Sequence, residues 1–347
     1  MKKFSNLDNH ETNRCRILNC KKEITLFTLF VLCYSVLFFA VSFARAESEP
    51  QTVNTVETTR SSDIELKSPH REDSFKFVIF ADRTTGRPED ISILKDAVQD
   101  TNRLDPDFVM NIGDLVEGYN STKQWLEQMQ EYKSVMNNLR CPWYPAAGNH
   151  DIYGGKHVRD LPKGEHEKEY ETHFAPLWYA FEYKNYWFIV LFTDEGNKSG
   201  VKKFSDPECQ VMSDIQFEWL KSILTKARKA DGIFVFQHHP RWLGGGYGND
   251  WDKIHAEFVK AGNVKAVFAG HIHRLTYNEK DNIQYYTLAA TGGALAQKTD
   301  KIQNDLVQEI HHVSVRKNCP PEITALPVNS TIDLKSMPSG KKTIKKD

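Results

Sequence analysis

Five short apolar runs in this chain each end at an Asp, Asn or His. FKFVIF (75–80) leads to Asp82 within FADRTTG. FVMNI (108–112) leads to Gly113-Asp114. WYPAA (143–147) leads to Gly148-Asn149-His150-Asp151. IFVFQ (233–237) leads to His238-His239-Pro240, and VKAVFAG (264–270) to His271-Ile272-His273. Short runs rich in Val, Ile and Phe read as buried strands. Helical patterns lie between them. Ile91, Leu94 and Val98 share a face over 89–104, and a second helix is expected over 121–139. Ile215, Trp219, Leu220, Ile223 and Leu224 form a stripe within 213–229, and a further helix is expected near 250–261. WYAFEYKNYWFIVLF (178–192) reads as a hairpin about Lys184-Asn185. More strands are expected at 273–278, 283–290 and 311–316. Alternating strands and helices predict an α/β fold with packed sheets and helices outside. Ligand sites in such folds lie in loops at the carboxyl ends of strands, where these polar residues fall.

The chain has 347 residues, 40% hydrophobic and 26% charged, an ordinary globular composition. Its net charge of -1 provides no basic field for a nucleic acid, so none is expected as a partner. The basic excess sits at the N-terminus. Ile24 to Ala44 carries no charge, follows Lys21-Lys22 and precedes Ala44-Arg45-Ala46. Residues 1–46 therefore read as a signal peptide cleaved after Ala46, or as an uncleaved signal anchor. Lys on the N-terminal flank places that end in the cytoplasm in both cases. The expected locations are periplasmic, secreted, or anchored to the membrane by residues 24–44; any membrane contact is through this segment alone. Residues 47–73, poor in large apolar residues, read as a disordered linker. The folded domain is expected over 74–318, with a loosely ordered tail over 319–347. Beyond the leader only Cys141, Cys209 and Cys319 remain, which is no disulfide framework.

The five loop blocks carry one kind of chemistry. Carboxylate oxygen, amide oxygen and imidazole nitrogen are ligands for divalent cations. Two such cations about 3.5–4 Å apart clamp a phosphoryl oxygen and turn a water into a nucleophile. Residues two apart in a strand share a face, so His271 and His273 are expected to reach one cation each. By the same alternation His239, next to His238, is expected to face away.

Together the five blocks resemble those of the calcineurin-like metallophosphoesterases. The resemblance spans residues 82–273 and extends to exported bacterial members with no well-defined substrate. It implies a four-layer α/β/β/α sandwich of two packed mixed sheets flanked by helices, with the metal site at the carboxyl ends of strands. It further implies a dinuclear centre of Mn, Fe, Zn or Mg. One metal takes Asp82, Asp114 and His273, the other Asp114, Asn149, His238 and His271, with Asp114 bridging. A metal-bound hydroxide attacks a phosphoester, His150 stabilises charge or protonates the leaving oxygen, and Asp151 orients His150 from behind. The substrate is a small phosphoester or a phosphoprotein, monoester or diester. One departure stands out. The family's first block is usually Asp-x-His, and Thr84 occupies the histidine position. Arg83, Thr84 and Arg87 are candidate substrate contacts, with a surface charge as the other reading of each Arg.

Two rivals accompany this reading. A scaffold that keeps the fold with little catalysis is one. The other is a tyrosinate-iron enzyme like the purple acid phosphatases, for which Tyr119, five residues after Asp114, has the wrong spacing. Asp194 and Glu195 are expected in a solvated loop, with a place lining the cleft as the other reading, and His157, His166 and His173 at the surface, with a substrate-facing cap as the other reading. Trp178, Tyr179 and Trp187 are expected in core packing.

Overall fold

The computed structural model describes residues 74–84, 91–154, 166–195, 211–244, 250–295 and 307–332. The leader, the linker, Arg87, His157, Cys209 and residues 333–347 lie outside these. In chain order the described elements begin β1 (Ser74–Phe80), α1 (Ile91–Leu104), β2 (Phe108–Asn111), α2 (Thr122–Met136) and β3 (Trp143–Pro145). One helical turn, α3 (Asn149–Ile152), and α4 (Glu167–His173) precede β4 (Tyr179–Tyr183) and β5 (Tyr186–Val190). Then come α5 (Asp214–Lys226), β6 (Gly232–Phe236), α6 (Trp251–Ala261) and β7 (Val264–Ala269). The last strands are β8 (Thr276–Lys280), β9 (Ile283–Thr287), β10 (Glu309–Arg316) and β11 (Glu322–Pro327).

Strand alternation divides the apolar residues between layers. In β1, Phe75, Phe77 and Ile79 join one buried cluster, while Val78 and Phe80 join another. In β6, Phe234 and Phe236 join the same cluster as Phe77, and Ile233 and Val235 turn the opposite way. Both faces of these strands are covered, which is why they read as unbroken apolar runs. Two mixed sheets result, ordered β11-β10-β1-β2-β3 and β4-β5-β6-β7-β9-β8. β1, β2 and β3 are parallel, as are β5, β6, β7 and β9.

Phenylalanines fill the space between the sheets. Phe77 stacks on Phe108 with centroids 5.3 Å apart, and Phe188 meets Phe108 edge-on at 4.9 Å. Each such ring buries a large apolar area with a preferred contact geometry. Helices cover the outer faces. α1 and α2 present Leu94, Ala97, Trp125 and Tyr132 to the five-stranded sheet. α5 and α6 present Leu220, Leu224, Ile254 and Phe258 to the six-stranded one. A capping box, Ser121 with Gln124, starts α2. The expected four-layer architecture is thus observed. Lys184 and Asn185, both at positive φ, turn the β4–β5 hairpin.

Three expectations differ from what is seen. Part of the expected loose tail forms β11, which pairs antiparallel with β10. This edge strand has little apolar surface to bury, so its signal is weak. His166, expected at the surface, is buried, its ring 5.6 Å from that of Trp125. Asp194 is also buried, and Glu195 accepts from Ser213 N and Gln216 Nε2 at the start of α5. Among the described residues no helix is long and apolar enough to cross a membrane.

Candidate metal centre

The carboxyl ends of β1, β2, β3, β6 and β7 meet at one edge of the sandwich. Asp82 follows β1, Asp114 follows β2, Asn149 follows β3, His238 follows β6, and His271 and His273 follow β7. Their donor atoms converge. His238 Nε2 lies 3.2 Å from Asp114 Oδ2 and 3.0 Å from Asn149 Oδ1. His271 Nδ1 lies 2.9 Å from Asn149 Oδ1 and 3.3 Å from His238 Nε2. His273 Nε2 lies 3.4 Å from Asp82 Oδ1.

The imidazoles are held from outside. His238 donates Nδ1–H to the Ile112 carbonyl at 3.0 Å, which turns Nε2 inward. His273 donates Nδ1–H to the Ala294 carbonyl with the same result. Asn149 donates Nδ2–H to the Tyr119 hydroxyl at 2.8 Å, so its Oδ1 faces the histidines. Such outer partners fix the tautomer and orientation of a ligand.

Close backbone approach makes this convergence possible. A Cβ on Gly148 would lie 2.2 Å from Asp114 Oδ1, and one on Gly270 would lie 2.2 Å from Asp82 Oδ2. Asp114, His271 and His273 adopt φ of 57°, 68° and 50°. Non-glycine residues pay for such a backbone, and it persists where surrounding contacts impose it. His271 and His273 lie beyond the end of β7. They diverge through this left-handed backbone, not through the strand alternation expected for them.

Burial opposes charge on these groups; their mutual contacts override it at His238 and Asp114 but not at His271. Asp114 and Asp82 push the His238 pKa up to about 10 despite its burial. Asp114, although buried, is held well below the usual carboxylate range by His238, His150 and His271. Burial and the His238 charge push His271 down to about 4.

The donor set fits a cation. An octahedral cation with bonds of about 2.1 Å has neighbouring ligands about 3 Å apart. The spacings among His238, His271, Asn149 and Asp114 are of that size. Asp82 Oδ2 is buried and, among the described residues, has no hydrogen-bond partner. Donor atoms of Asp82, Asp114 and His238 lie within 4.8 Å of one another, as do those of His238, His239 and His271.

The remaining expected residues fall into place differently. Asp151 does not sit behind the His150 ring. Its Oδ2 accepts from Gly148 N and Asp114 N at 2.8 and 2.9 Å. Its Oδ1 accepts from Leu115 N and Val116 N at 2.8 and 3.1 Å. It therefore shapes the Asp114 loop. His150 donates Nδ1–H to the Glu117 carbonyl at 2.6 Å instead. Thr84 is buried and donates to Asp114 Oδ2 at 3.3 Å. Arg83 is buried and pairs with Glu117 at 2.5 Å. It lines a cleft of about 840 Å³ together with His150, Tyr119, Glu117, Gln124 and Glu131. Tyr119, His239 and Asp194 are the neighbours to which sequence reasoning gives another main place. The doubled His238-His239 was the only signal for the second of these.

A family model described as calcineurin-like phosphoesterase matches residues 70–275. The chain belongs to that family. Serine/threonine-protein phosphatase CPPED1 of Rattus norvegicus is 25% identical over 226 residues, which cover 61% of this chain and 68% of that protein. Tartrate-resistant acid phosphatase type 5 of Homo sapiens is 24% identical over 212 residues, 57% of this chain and 65% of that one. Among solved structures, purple acid phosphatase PPD1 of yellow lupin (Lupinus luteus) seeds matches with a TM-score of 0.55 at 16% identity, covering 76% of this chain and 53% of that one. A dimetal phosphatase from Danio rerio matches with a TM-score of 0.53 at 15% identity, covering 72% and 98%. At these identities the structural likeness is one of fold. This calcineurin-like phosphoesterase thus spans about half the lupin chain.

Proposed function

We propose that this calcineurin-like phosphoesterase hydrolyses phosphoric monoesters at a dinuclear metal centre. The observation that carries the proposal is the convergence of six donor side chains, Asp114 and five others, with the buried Asp82 Oδ2 left for a cation. Asp82, Asp114 and His273 would hold one cation; Asp114, Asn149, His238 and His271 would hold the other. When bound, the cations neutralise phosphoryl oxygens and supply a water acidic enough to attack near neutral pH.

The chain's own residues do the rest. The Glu117 carbonyl holds His150 by its Nδ1–H, and in the doubly protonated ring the Nε2–H would protonate the leaving oxygen, with the proton restored from solvent. Tyr119 packs its ring against His150, centroids 4.6 Å apart, and limits how far the imidazole swings. The leaving group occupies the cleft that His150 borders. Arg83, paired with Glu117, braces the loop after β2 and lines the cleft beside the phosphoryl position. Monoesters are favoured because the relatives named above are phosphatases. Export through residues 1–46 belongs to the same proposal, and N-terminal sequencing of the mature protein tests it.

The deciding assay uses protein stripped of metal. p-Nitrophenyl phosphate and bis-p-nitrophenyl phosphate are offered with Mn²⁺, Mg²⁺, Zn²⁺ or no metal, beside Asp114→Asn. Metal-dependent turnover of the monoester, lost with bound metal in Asp114→Asn, is expected. No turnover and no bound metal in the wild type would leave a scaffold; full activity in Asp114→Asn would remove the bridging role.

A further inference from the structure

His239 is a buried imidazole that the proposed mechanism leaves unused. Its backbone N–H donates to Thr193 Oγ1 at 3.2 Å. Its Nδ1 lies 2.9 Å from that hydroxyl oxygen and 3.4 Å from Asp194 Oδ2. Its Nε2 is buried and, among the described residues, has no hydrogen-bond partner. The ring does not face away from the site, as alternation predicts. β6 ends at Phe236, and past it the chain is no longer extended. The His239 centroid lies 4.1 Å from that of His271 and 4.9 Å from that of His238.

This arrangement repeats that of His238 and His273. In each, an outer oxygen holds Nδ1 and leaves Nε2 for the interior. An outer partner that accepts from one ring nitrogen fixes the tautomer and raises the basicity of the other, and the Thr193 hydroxyl oxygen, 2.9 Å from His239 Nδ1, stands in that place. A buried polar atom with no partner is costly, so its persistence calls for a ligand. A ligating nitrogen of His239 within 4.8 Å of those of His238 and His271 is compatible with a shared cation.

We infer that His239 Nε2 is a further metal ligand, joining Asp114, Asn149, His238 and His271 in a nitrogen-rich centre that prefers Zn²⁺ to Mg²⁺. Three imidazoles suit a borderline transition metal. The neighbouring group of Asp82, Asp114 and His273 is richer in oxygen and suits Mn²⁺ or Mg²⁺. The two positions thus differ in the cation they select. The inference rests on the proposed dinuclear reading.

Full-length protein stripped of metal is titrated with Zn²⁺ and with Mg²⁺ against a chromophoric chelator, for wild type, His239→Ala and Asp194→Asn. Two Zn²⁺ sites are expected in the wild type. His239→Ala should weaken one of them at least about 100-fold and leave the other in place, and Asp194→Asn should weaken the same one by about 10-fold, as loss of an outer partner does. Co²⁺ provides the second readout. Its absorption spectrum in His239→Ala should report one nitrogen ligand fewer. Should that variant not fold, ¹⁵N spectra of wild-type histidines decide: the His239 Nε2 resonance must move with Zn²⁺ in step with that of His238. Unchanged Zn²⁺ affinity with an unchanged Co²⁺ spectrum overturns the inference, as does a His239 resonance indifferent to Zn²⁺. Weaker Zn²⁺ binding with the Co²⁺ spectrum retained also overturns it, because His239 would then only brace His271. A wild type that binds no metal at all sinks the dinuclear reading itself.

Discussion

The five-stranded sheet supplies oxygen to the centre and the six-stranded sheet supplies nitrogen. Asp82, Asp114 and Asn149 come from the ends of β1, β2 and β3. His238, His271 and His273 come from the ends of β6 and β7. Neither sheet carries a mixed donor set alone. The difference is one of reach as well as chemistry. Imidazoles extend across the gap between sheets, whereas short carboxylates need glycine beside them to come close. Gly148 and Gly270 provide that room next to Asp114 and Asp82. The centre therefore depends on how firmly the two sheets are fastened and on how closely the oxygen side is drawn in.

The largest effect is expected from loosening the sheets themselves. Phe77 of the oxygen sheet contacts Phe188, Phe234 and Phe236 of the nitrogen sheet, with centroids 5.5 to 6.1 Å away. Phe77→Ala should cost about 3–5 kcal/mol, as truncation of a fully buried phenylalanine does. The shift of the urea midpoint measures it. A loss under about 1 kcal/mol would mean that the phenylalanine layer is not what holds the two donor sets in register.

Next comes a change confined to the oxygen side. In Gly148→Ala the new Cβ would meet Asp114 Oδ1 at 2.2 Å and Asp114 N at 2.5 Å. Asp114 must move, although no ligand has been removed. Displacement of a catalytic group by about 1 Å costs about 100-fold, and a loss of that size in kcat/KM is expected. Metal affinity, read by titration, should fall with it. Wild-type values for both would show that Asp114 has slack, and that the close approach of Gly148 is not needed for the bridge.

These elements also mark where sequence and structure part company. The donors are legible because each follows an apolar run directly, and a strand that stops at a sheet edge presents its next side chains there. What strand periodicity cannot show is the backbone after the strand has ended. His271 and His273 are separated by positive φ, and His239 joins the site instead of facing away, because both segments leave the extended conformation. Asp151 misleads for another reason. A carboxylate beside His150 suggests an orienting pair, yet the one-turn helix α3 points it at four backbone N–H groups. The partner of His150 is a carbonyl, Glu117 O, and carbonyls leave no mark in a sequence. β11 was hidden because an edge strand needs few apolar residues.

The smallest expected effect bears directly on the oxygen–nitrogen contrast, because it adds nitrogen to the oxygen side. Thr84 stands where the family pattern has histidine, and its hydroxyl donates to Asp114 Oδ2 at 3.3 Å. The position thus borders the carboxylate proposed to bridge the cations. Its backbone is held as well, since the Thr84 carbonyl accepts from Ala294 N at 3.1 Å. Thr84→His should place an imidazole among Asp82, Asp114 and His273. One added ligand of the softer type should tighten Zn²⁺ at that position by about tenfold, or about 1.4 kcal/mol. Mn²⁺ and Mg²⁺ should gain less, so the two proposed cation positions become more alike. Because Thr84 is fully buried, the larger ring also overpacks the pocket, at about 1–3 kcal/mol. The thermal midpoint of the metal-free variant should fall while its Zn²⁺ affinity rises. Opposite movement of those two quantities separates a gained ligand from a damaged fold. Equal Zn²⁺ affinity in variant and wild type would show that the oxygen side has no open coordination position for a histidine at residue 84.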